Sequence, residues 1–286
     1  LMFLNFWHAK PQLTIPTSIV HLQDIEFTHS QERALKMDIL HPKISTQLMP
    51  VLVWIHGGAW RSGDKKEGLK HLVSFARQGF FCASIEYRLS HEAIFPAQIQ
   101  DCKCAIRFLR AHAREFHIDP HHIGVWGVSA GGHLAALLGT THHIQEFEGS
   151  GGWENYSSCV QAVCDWFGPT DFLRINDSPR KIDFTPAGSP EAALIGGLIE
   201  ENQEKAAKVN PITFVSKEAS PFLIVHGDND SLVPLNQSQL LFDALQKADV
   251  EVTLEVIKGG KHGNEKKFGS RALSQKMEKF FKKHLT

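Results

Sequence analysis

The chain of 286 residues has almost no net charge: 30 Lys and Arg stand against 31 Asp and Glu, a formal net of −1. That balance removes the electrostatic case for nucleic acid or an anionic membrane surface as a partner. No apolar run reaches the ~18 residues of a membrane-spanning helix. The 17 histidines are scattered, and neither His-x3-His nor Cys-x2-Cys spacing recurs among them, so no metal site is expected. Cysteine is scarce and odd in number: Cys82, Cys102, Cys104, Cys159 and Cys164. Cys82 and Cys164 lie in apolar, strand-like runs, where a thiol behaves as a small hydrophobe. Cys102 and Cys104, two apart on a predicted helix, do not face each other. A disulfide framework is therefore not expected, although a single bridge stays open. There is no internal repeat, low-complexity tract or linker.

What is present is ordinary for a globular protein, with 42% hydrophobic and 21% charged residues. The length suits one large α/β domain or two small ones. Residues 1–7 are apolar but short and lack a basic flank; with no initiating Met, they read as the remnant of a processed or truncated N-terminus. This reading leaves the compartment undetermined. Residues 1–24 read as an irregular arm, and residues 25–40 as a hairpin around His29-Ser30-Gln31-Glu32.

Beyond it, strands alternate with helices. Val51-Leu52-Val53-Trp54-Ile55 is a continuous apolar run, as expected of a strand buried on both faces. A helix over 69–78 follows, then a strand over 80–87 and a helix over 97–116. Strands over 123–126, 160–167 and 222–225 come next. A helix over 240–247, a strand over 252–257 and a closing amphipathic helix over 272–284 complete the pattern. Such alternation predicts a mostly parallel sheet with right-handed crossovers, its chemistry past the carboxyl ends of the strands. Residues 172–220 break the rhythm with Ser178-Pro179, Ser189-Pro190, Gly196-Gly197 and a polar helix near 200–207. They read as a small cap-like insertion within a single domain over 25–286.

The chemistry concentrates in four segments. Gly127-Val128-Ser129-Ala130-Gly131 sits between the apolar run Ile123-Gly124-Val125-Trp126 and a small-residue helix. A Gly-x-Ser-x-Gly in that setting is a nucleophile elbow, with the serine forced into a strained turn over a helix N-terminus. After the strand at 222–225 comes His226-Gly227-Asp228-Asn229-Asp230-Ser231-Leu232-Val233-Pro234. After the strand at 252–257 comes Gly259-Gly260-Lys261-His262-Gly263. The order serine, acid, histidine is that of the α/β-hydrolase fold, here an eight-stranded sheet flanked by helices. His262 suits the base that takes the Ser129 proton, and an aspartate would orient it and stabilise its charged form. Asp230, at the loop apex before a helix, is assigned as that acid, and Asp228, nearer the strand end, as a brace. His56-Gly57-Gly58-Ala59-Trp60 offers backbone donors for an oxyanion: Gly58 and Ala59, with Ala130 after the nucleophile. His56 reads as a brace rather than a base. No cofactor is needed, because these groups fill every role.

The chain resembles the HGG-bearing esterases of the α/β-hydrolase superfamily, and most closely the bifunctional feruloyl/acetyl-xylan esterase type. The resemblance runs from about residue 25 to the C-terminus. It rests on Trp54-Ile-His-Gly-Gly-Ala-Trp-Arg-Ser-Gly63, Tyr87-Arg-Leu-Ser90, Phe95-Pro-Ala-Gln98 with Asp101-Cys-Lys103, and Gly127-Val-Ser-Ala-Gly-Gly-His133. Asp165-Trp-Phe-Gly-Pro-Thr-Asp171, Ser189-Pro190 with Gly196-Gly197, and His226-Gly-Asp-Asn-Asp230 continue it. Two departures stand out: Lys261 where the family has a small residue before the histidine, and Glu86 where an Asp often precedes Tyr-Arg. The resemblance implies hydrolysis of small acyl esters, including acetyl or feruloyl groups on plant polysaccharide, through an acyl-serine. Trp60, Trp166 and Phe167 lie beside the catalytic loops and are candidates to stack on an aromatic acyl group or sugar, with core packing as the competing role. An arylformamidase-like amidase and a non-catalytic ligand receptor on the same fold are the alternatives.

Overall fold

The computed structural model describes residues 13–30, 33–177, 188–263 and 265–286. The apolar segment 1–7 and Ser178-Pro179 lie outside the described residues. One sheet contains β1 (Ile19–His29), β2 (Ala34–Pro42), β3 (Met49–Ile55), β4 (Phe81–Ile85), β5 (Ile118–Val128), β6 (Ala162–Trp166), β7 (Phe222–Gly227) and β8 (Val252–Ile257). Their order is β1-β2-β4-β3-β5-β6-β7-β8. β2 runs antiparallel to β1 and β4, and the strands from β3 onward pair in parallel. The helices are α1 (Lys66–Arg77), α2 (Ala97–Ala111), α3 (Ala113–Phe116), α4 (Ala130–Thr140), α5 (Pro190–Ile195), α6 (Gln203–Val209), α7 (Leu235–Lys247), α8 (Glu265–Phe268) and α9 (Arg271–Leu285). This is the expected α/β-hydrolase arrangement.

The unbroken apolar runs have a direct cause. Successive side chains of a strand point to opposite faces, and both faces of this sheet are covered. Val51, Val53 and Ile55 of β3 and Val125 of β5 join a core with Ile99, Ile106 and Leu109 of α2, Leu134 and Leu138 of α4, and Leu241 and Leu245 of α7. Leu52, Trp54 and Trp126 face the other way, into a core with Leu69, Leu72 and Phe75 of α1. There α9 contributes Leu273, Met277, Phe281 and Leu285, four buried residues at four-residue spacing. Each such side chain stabilises by about 1.5–3 kcal/mol on burial. Ser270 starts α9 by accepting the Leu273 N–H.

Several boundaries differ from the sequence reading. β1 begins at Ile19, inside the expected arm, because a register shift between Leu22 and Ile25, with Asp24 at φ 56°, interrupts the alternation that marks a strand. The helix expected over 97–116 is two helices. His112 leaves helical geometry at φ −99°, ψ 18°, and His117 ends α3 in the left-handed region. β5 starts at Ile118, five residues early, across the polar stretch Asp119-Pro120-His121-His122.

Within 172–220, α5 opens with the Ser189 side chain accepting the Ala192 N–H and closes at Gly196, φ 75°. Three ties hold this stretch near the strand ends. Arg61 donates to the Gly188 carbonyl, the Phe95 N–H donates to the Leu194 carbonyl at 2.8 Å, and His133 Nε2 donates to the Val209 carbonyl at 2.7 Å. Among the described residues no helix is long and apolar enough to cross a membrane.

Candidate active site

Ser129 caps α4 with φ 55° and ψ −120°, a conformation that costs a non-glycine residue about 1–3 kcal/mol. The surroundings enforce it. A Cβ on Gly127 would lie 2.0 Å from the Gly131 carbonyl oxygen, and one on Gly131 would lie 2.1 Å from that of Ile55. Only glycine lets β5 turn this sharply into a helix lying against the end of β3. The Ser129 N–H is held by the Trp166 carbonyl at 2.8 Å. The strain turns the hydroxyl away from the core, above the free N–H groups of the first turn of α4.

His262 and Asp230 reach this point from separate loops. His262 Nε2 lies 2.9 Å from Ser129 Oγ, and His262 Nδ1 lies 2.7 Å from Asp230 Oδ2. The two loops touch through glycine: a Cβ on Gly227 would come within 2.3 Å of the Gly260 carbonyl oxygen. That carbonyl accepts the Asn229 N–H at 2.9 Å. The Asp230 side chain is fully buried, while that of His262 is 19% exposed. Asp230 Oδ1 accepts the N–H groups of Leu232 at 2.8 Å and Val233 at 3.0 Å. Burial opposes ionisation of Asp230, but donors on His226 and His262 outweigh it and hold the carboxyl well below the usual range. Asp228 does not reach His262 through any described hydrogen bond; its Oδ1 accepts the Gly259 N–H and pins the base of the histidine loop.

The loop after β3 carries three successive residues in the left-handed region: Gly58 at φ 104°, Ala59 at 54° and Trp60 at 56°. The Gly58 carbonyl closes the turn by accepting from Arg61 and Ser62 at 3.0 and 3.1 Å. A Cβ on Gly57 would sit 3.3 Å from that of Ser129, so the loop lies against the elbow. Among the described hydrogen bonds, the N–H groups of Gly58 and Ala59 find no acceptor in the protein, and Ala130 is the first residue of α4. His56 is buried, its Nδ1 donates to the Gly57 carbonyl at 2.7 Å, and its ring stacks on Tyr87 at 4.2 Å. Burial lowers its proton affinity. The Tyr87 hydroxyl donates to the His56 carbonyl at 3.0 Å. His56 is thus part of the brace under the loop.

The three aromatic candidates are placed differently. Trp60 is 2% exposed; its indole N–H donates to His133 Nδ1 at 3.2 Å, and its ring packs on Phe172. It is a core residue linking the loop after β3 to α4, because its positive φ turns the side chain inward. Phe167 rests on the His262 ring, with centroids 4.6 Å apart. Trp166 and Phe167 are 6% and 3% exposed and pack in the core beside Trp126 and Phe268, at the edge of a cavity of about 750 Å³ between α1 and α9 whose walls include Val128 and Gly263, the chain neighbours of Ser129 and His262. Lys261 is exposed. Glu86 accepts from Arg33 Nη1 at 2.8 Å and the Lys36 N–H at 3.1 Å, away from these groups.

Three residues around the site were not assigned a role from sequence. His133 is fully buried and bonded at both ring nitrogens; burial lowers its pKa to about 4. Asp165, at the end of β6, is fully buried; its Oδ1 accepts the Gly168 N–H at 2.9 Å, and burial raises its pKa to about 6. His226 is buried beside Asp230. Each directly follows an apolar strand run or the nucleophile turn, and that position was the available signal. The five cysteines are free thiols. Among the described residues no group of three or more His, Cys, Asp or Glu converges as a metal site.

Known proteins give the chain its family. Residues 37–245 match the BD-FAE family model. A probable carboxylic ester hydrolase, LipM of Mycobacterium tuberculosis, is 35% identical over 205 residues, covering 71% of this chain and 46% of LipM. The chain spans about half the length of the curated relatives it matches. Among solved structures, a bifunctional GH43-CE protein of Bacteroides eggerthii superposes with a TM-score of 0.85 at 35% identity, covering 93% of this chain and 35% of that one. A truncated carbohydrate esterase from gut microbiota superposes with a TM-score of 0.82 at 33% identity, covering 93% and 96%. On the α/β-hydrolase fold, with a serine, an aspartate and a histidine joined at the strand ends, this chain belongs to the BD-FAE family.

Proposed function

We propose that this chain is a carboxylic ester hydrolase working through an acyl-serine intermediate. The observation that carries the reading is the continuous chain Ser129–His262–Asp230, with contacts of 2.9 and 2.7 Å. In the proposed reaction, Ser129 Oγ attacks the ester carbonyl as its proton passes to His262 Nε2. The tetrahedral oxyanion accepts the N–H groups of Gly58, Ala59 and Ala130, each of which lowers the barrier by about 2.7–4 kcal/mol. Collapse breaks the bond to the alcohol, which leaves with the His262 proton. Water, activated by His262, then releases the acid and restores Ser129. Asp230 remains ionised throughout and stabilises the imidazolium.

The substrates in this reading are short acyl esters, including acetyl or feruloyl groups carried on polysaccharide. Family membership and the carbohydrate-esterase neighbours support that choice. The cavity bordered by Trp166 and Phe167 lies next to Val128 and Gly263, the chain neighbours of Ser129 and His262, and is where an acyl group would sit in this reading. The test is steady-state hydrolysis of p-nitrophenyl acetate, butyrate and octanoate, methyl ferulate and acetylated xylan, with wild type and Ser129→Ala side by side. Ser129→Ala is expected to lower turnover at least about 10³-fold while folding normally. Near-normal turnover by that variant refutes the mechanism, and serine-dependent turnover confined to p-nitrophenyl esters refutes the polysaccharide assignment.

A further inference from the structure

Resting on that reading of Ser129, Asp230 and His262, we infer that His226 is a positioning residue: a second imidazole that holds Asp230 in place and moderates its pull on the His262 proton. His226 is the fifth residue of β7, with a fully buried side chain. Its Nε2 lies 2.9 Å from the Val233 carbonyl oxygen. A carbonyl only accepts, so Nε2 carries a proton. The same nitrogen lies 3.4 Å from Asp230 Oδ2, the oxygen that faces His262. Nδ1 lies 2.6 Å from Ser238 Oγ on α7, and the Phe167 ring contacts both imidazoles.

The consequence is a closed set of donors around one carboxylate. Two backbone N–H groups serve Oδ1, Oδ2 accepts the His262 Nδ1–H, and the His226 Nε2–H, given to the Val233 carbonyl, stands 3.4 Å from the same oxygen. His226 also ties the end of β7 to the Asp230 loop and to α7, fixing where the acid stands relative to the histidine loop. The His226 N–H dipole beside Oδ2 stabilises its negative charge, which makes that oxygen a weaker acceptor for the His262 proton. Removing His226 therefore makes Asp230 a stronger acceptor for His262 and raises the proton affinity of the base. The other charged groups around the assembly are Asp165 on β6, Asp228 in the same loop and Lys261 beside His262. All three stay in place in the variants below, so a difference from wild type reports on His226.

The experiment compares wild type, His226→Phe, His226→Gln and Ser238→Ala on p-nitrophenyl acetate from pH 4.5 to 9, with Ser129→Ala as control. His226→Phe is expected to lower kcat about tenfold or more, the kinetic equivalent of one charge-assisted hydrogen bond, with KM little changed. The acid limb of its kcat/KM profile should move to higher pH. The low-field proton NMR signal of the His262 Nδ1–H should move further downfield. Gln returns an N–H near the Nε2 position and should recover most of the rate. Ser238→Ala, which keeps the imidazole but frees its Nδ1, should fall between. If His226→Phe is insoluble, His226→Leu takes its place beside Ser238→Ala: an unshifted NMR signal and acid limb in both overturns the inference. So does a folded His226→Phe with wild-type kcat and acid limb. Activity in Ser129→Ala would overturn the underlying mechanism instead.

Discussion

Replacing Asp165 with Asn should stabilise this protein at neutral and alkaline pH, and not at pH 4. Asp165 is fully buried, with one oxygen on the Gly168 N–H and the other, Oδ2, without a described partner. Burial favours the neutral acid and lifts its pKa to about 6, although the Gly168 N–H and the nearby His226 act the other way. In the unfolded chain an aspartate titrates near 3.9. Between those values the native state holds a proton that the unfolded state has lost. The stability contribution is therefore complete below about pH 4 and falls away as pH rises to about 6. At about 1.4 kcal/mol per unit, the charged carboxylate destabilises the fold by about 3 kcal/mol above pH 6. Asparagine keeps the acceptor for Gly168 and removes the charge. The expected difference between variant and wild type grows from near zero at pH 4 to about 2–3 kcal/mol at pH 8. Urea unfolding followed by circular dichroism at half-unit pH intervals measures it. A difference that does not change with pH, or an Asn variant less stable than wild type at pH 8, refutes the reasoning.

Asp230→Asn should lower kcat on the order of 10³–10⁴-fold, by removing the charge that stabilises the His262 imidazolium. Asp228→Asn should cost far less, because an amide oxygen still accepts the Gly259 N–H; kinetics on p-nitrophenyl acetate rank the two, and the reverse ranking would move the acid assignment. Gly131→Ala places a Cβ 2.1 Å from the Ile55 carbonyl oxygen, on backbone fixed by the pairing of Ile55 with Gly127. It should destabilise by about 3 kcal/mol or more, read as a drop in the urea midpoint. His133 is held neutral to about pH 4, whereas an unfolded histidine takes up its proton near 6.5. Its contribution is complete above pH 6.5 and is lost as pH falls toward 4. Wild type should then lose about 3 kcal/mol more than His133→Gln between pH 7 and 4 in the same unfolding assay.

The catalytic candidates were legible because each sits where an apolar run stops. Ser129, Asp230 and His262 follow β5, β7 and β8, and a parallel sheet brings its carboxyl ends to one edge whatever the details of packing. The elbow was legible for a steric reason that acts within five residues. Polar or interrupted segments were less readable. Residues 118–122 belong to β5 despite Asp119, Pro120 and two histidines, because Ile118 pairs with Met49 and these four positions are carried as an irregularity before pairing resumes at Ile123 with Val51. The bulge at Asp24 hid the first residues of β1. The aromatic residues were the least readable, since a tryptophan beside a catalytic loop has the same letter whether it faces substrate or core. Positive φ at Ala59 and Trp60 sent the Trp60 ring to His133, 73 positions along the chain.

The sequence by itself therefore determined the strand and helix alternation, the nucleophile turn and the identity of the three interacting groups. These rest on local sterics and on a hydrophobic period that any reader of the chain can count. Only the tertiary structure decided which side chains those groups lean on. Asp230 accepts from His262 with the His226 imidazole 3.4 Å away, Asp228 binds the backbone under the histidine, and Asp165 is sealed without a second partner among the described residues. Each is a contact or a loss of solvent created when distant segments pack, and no spacing along the chain encodes it.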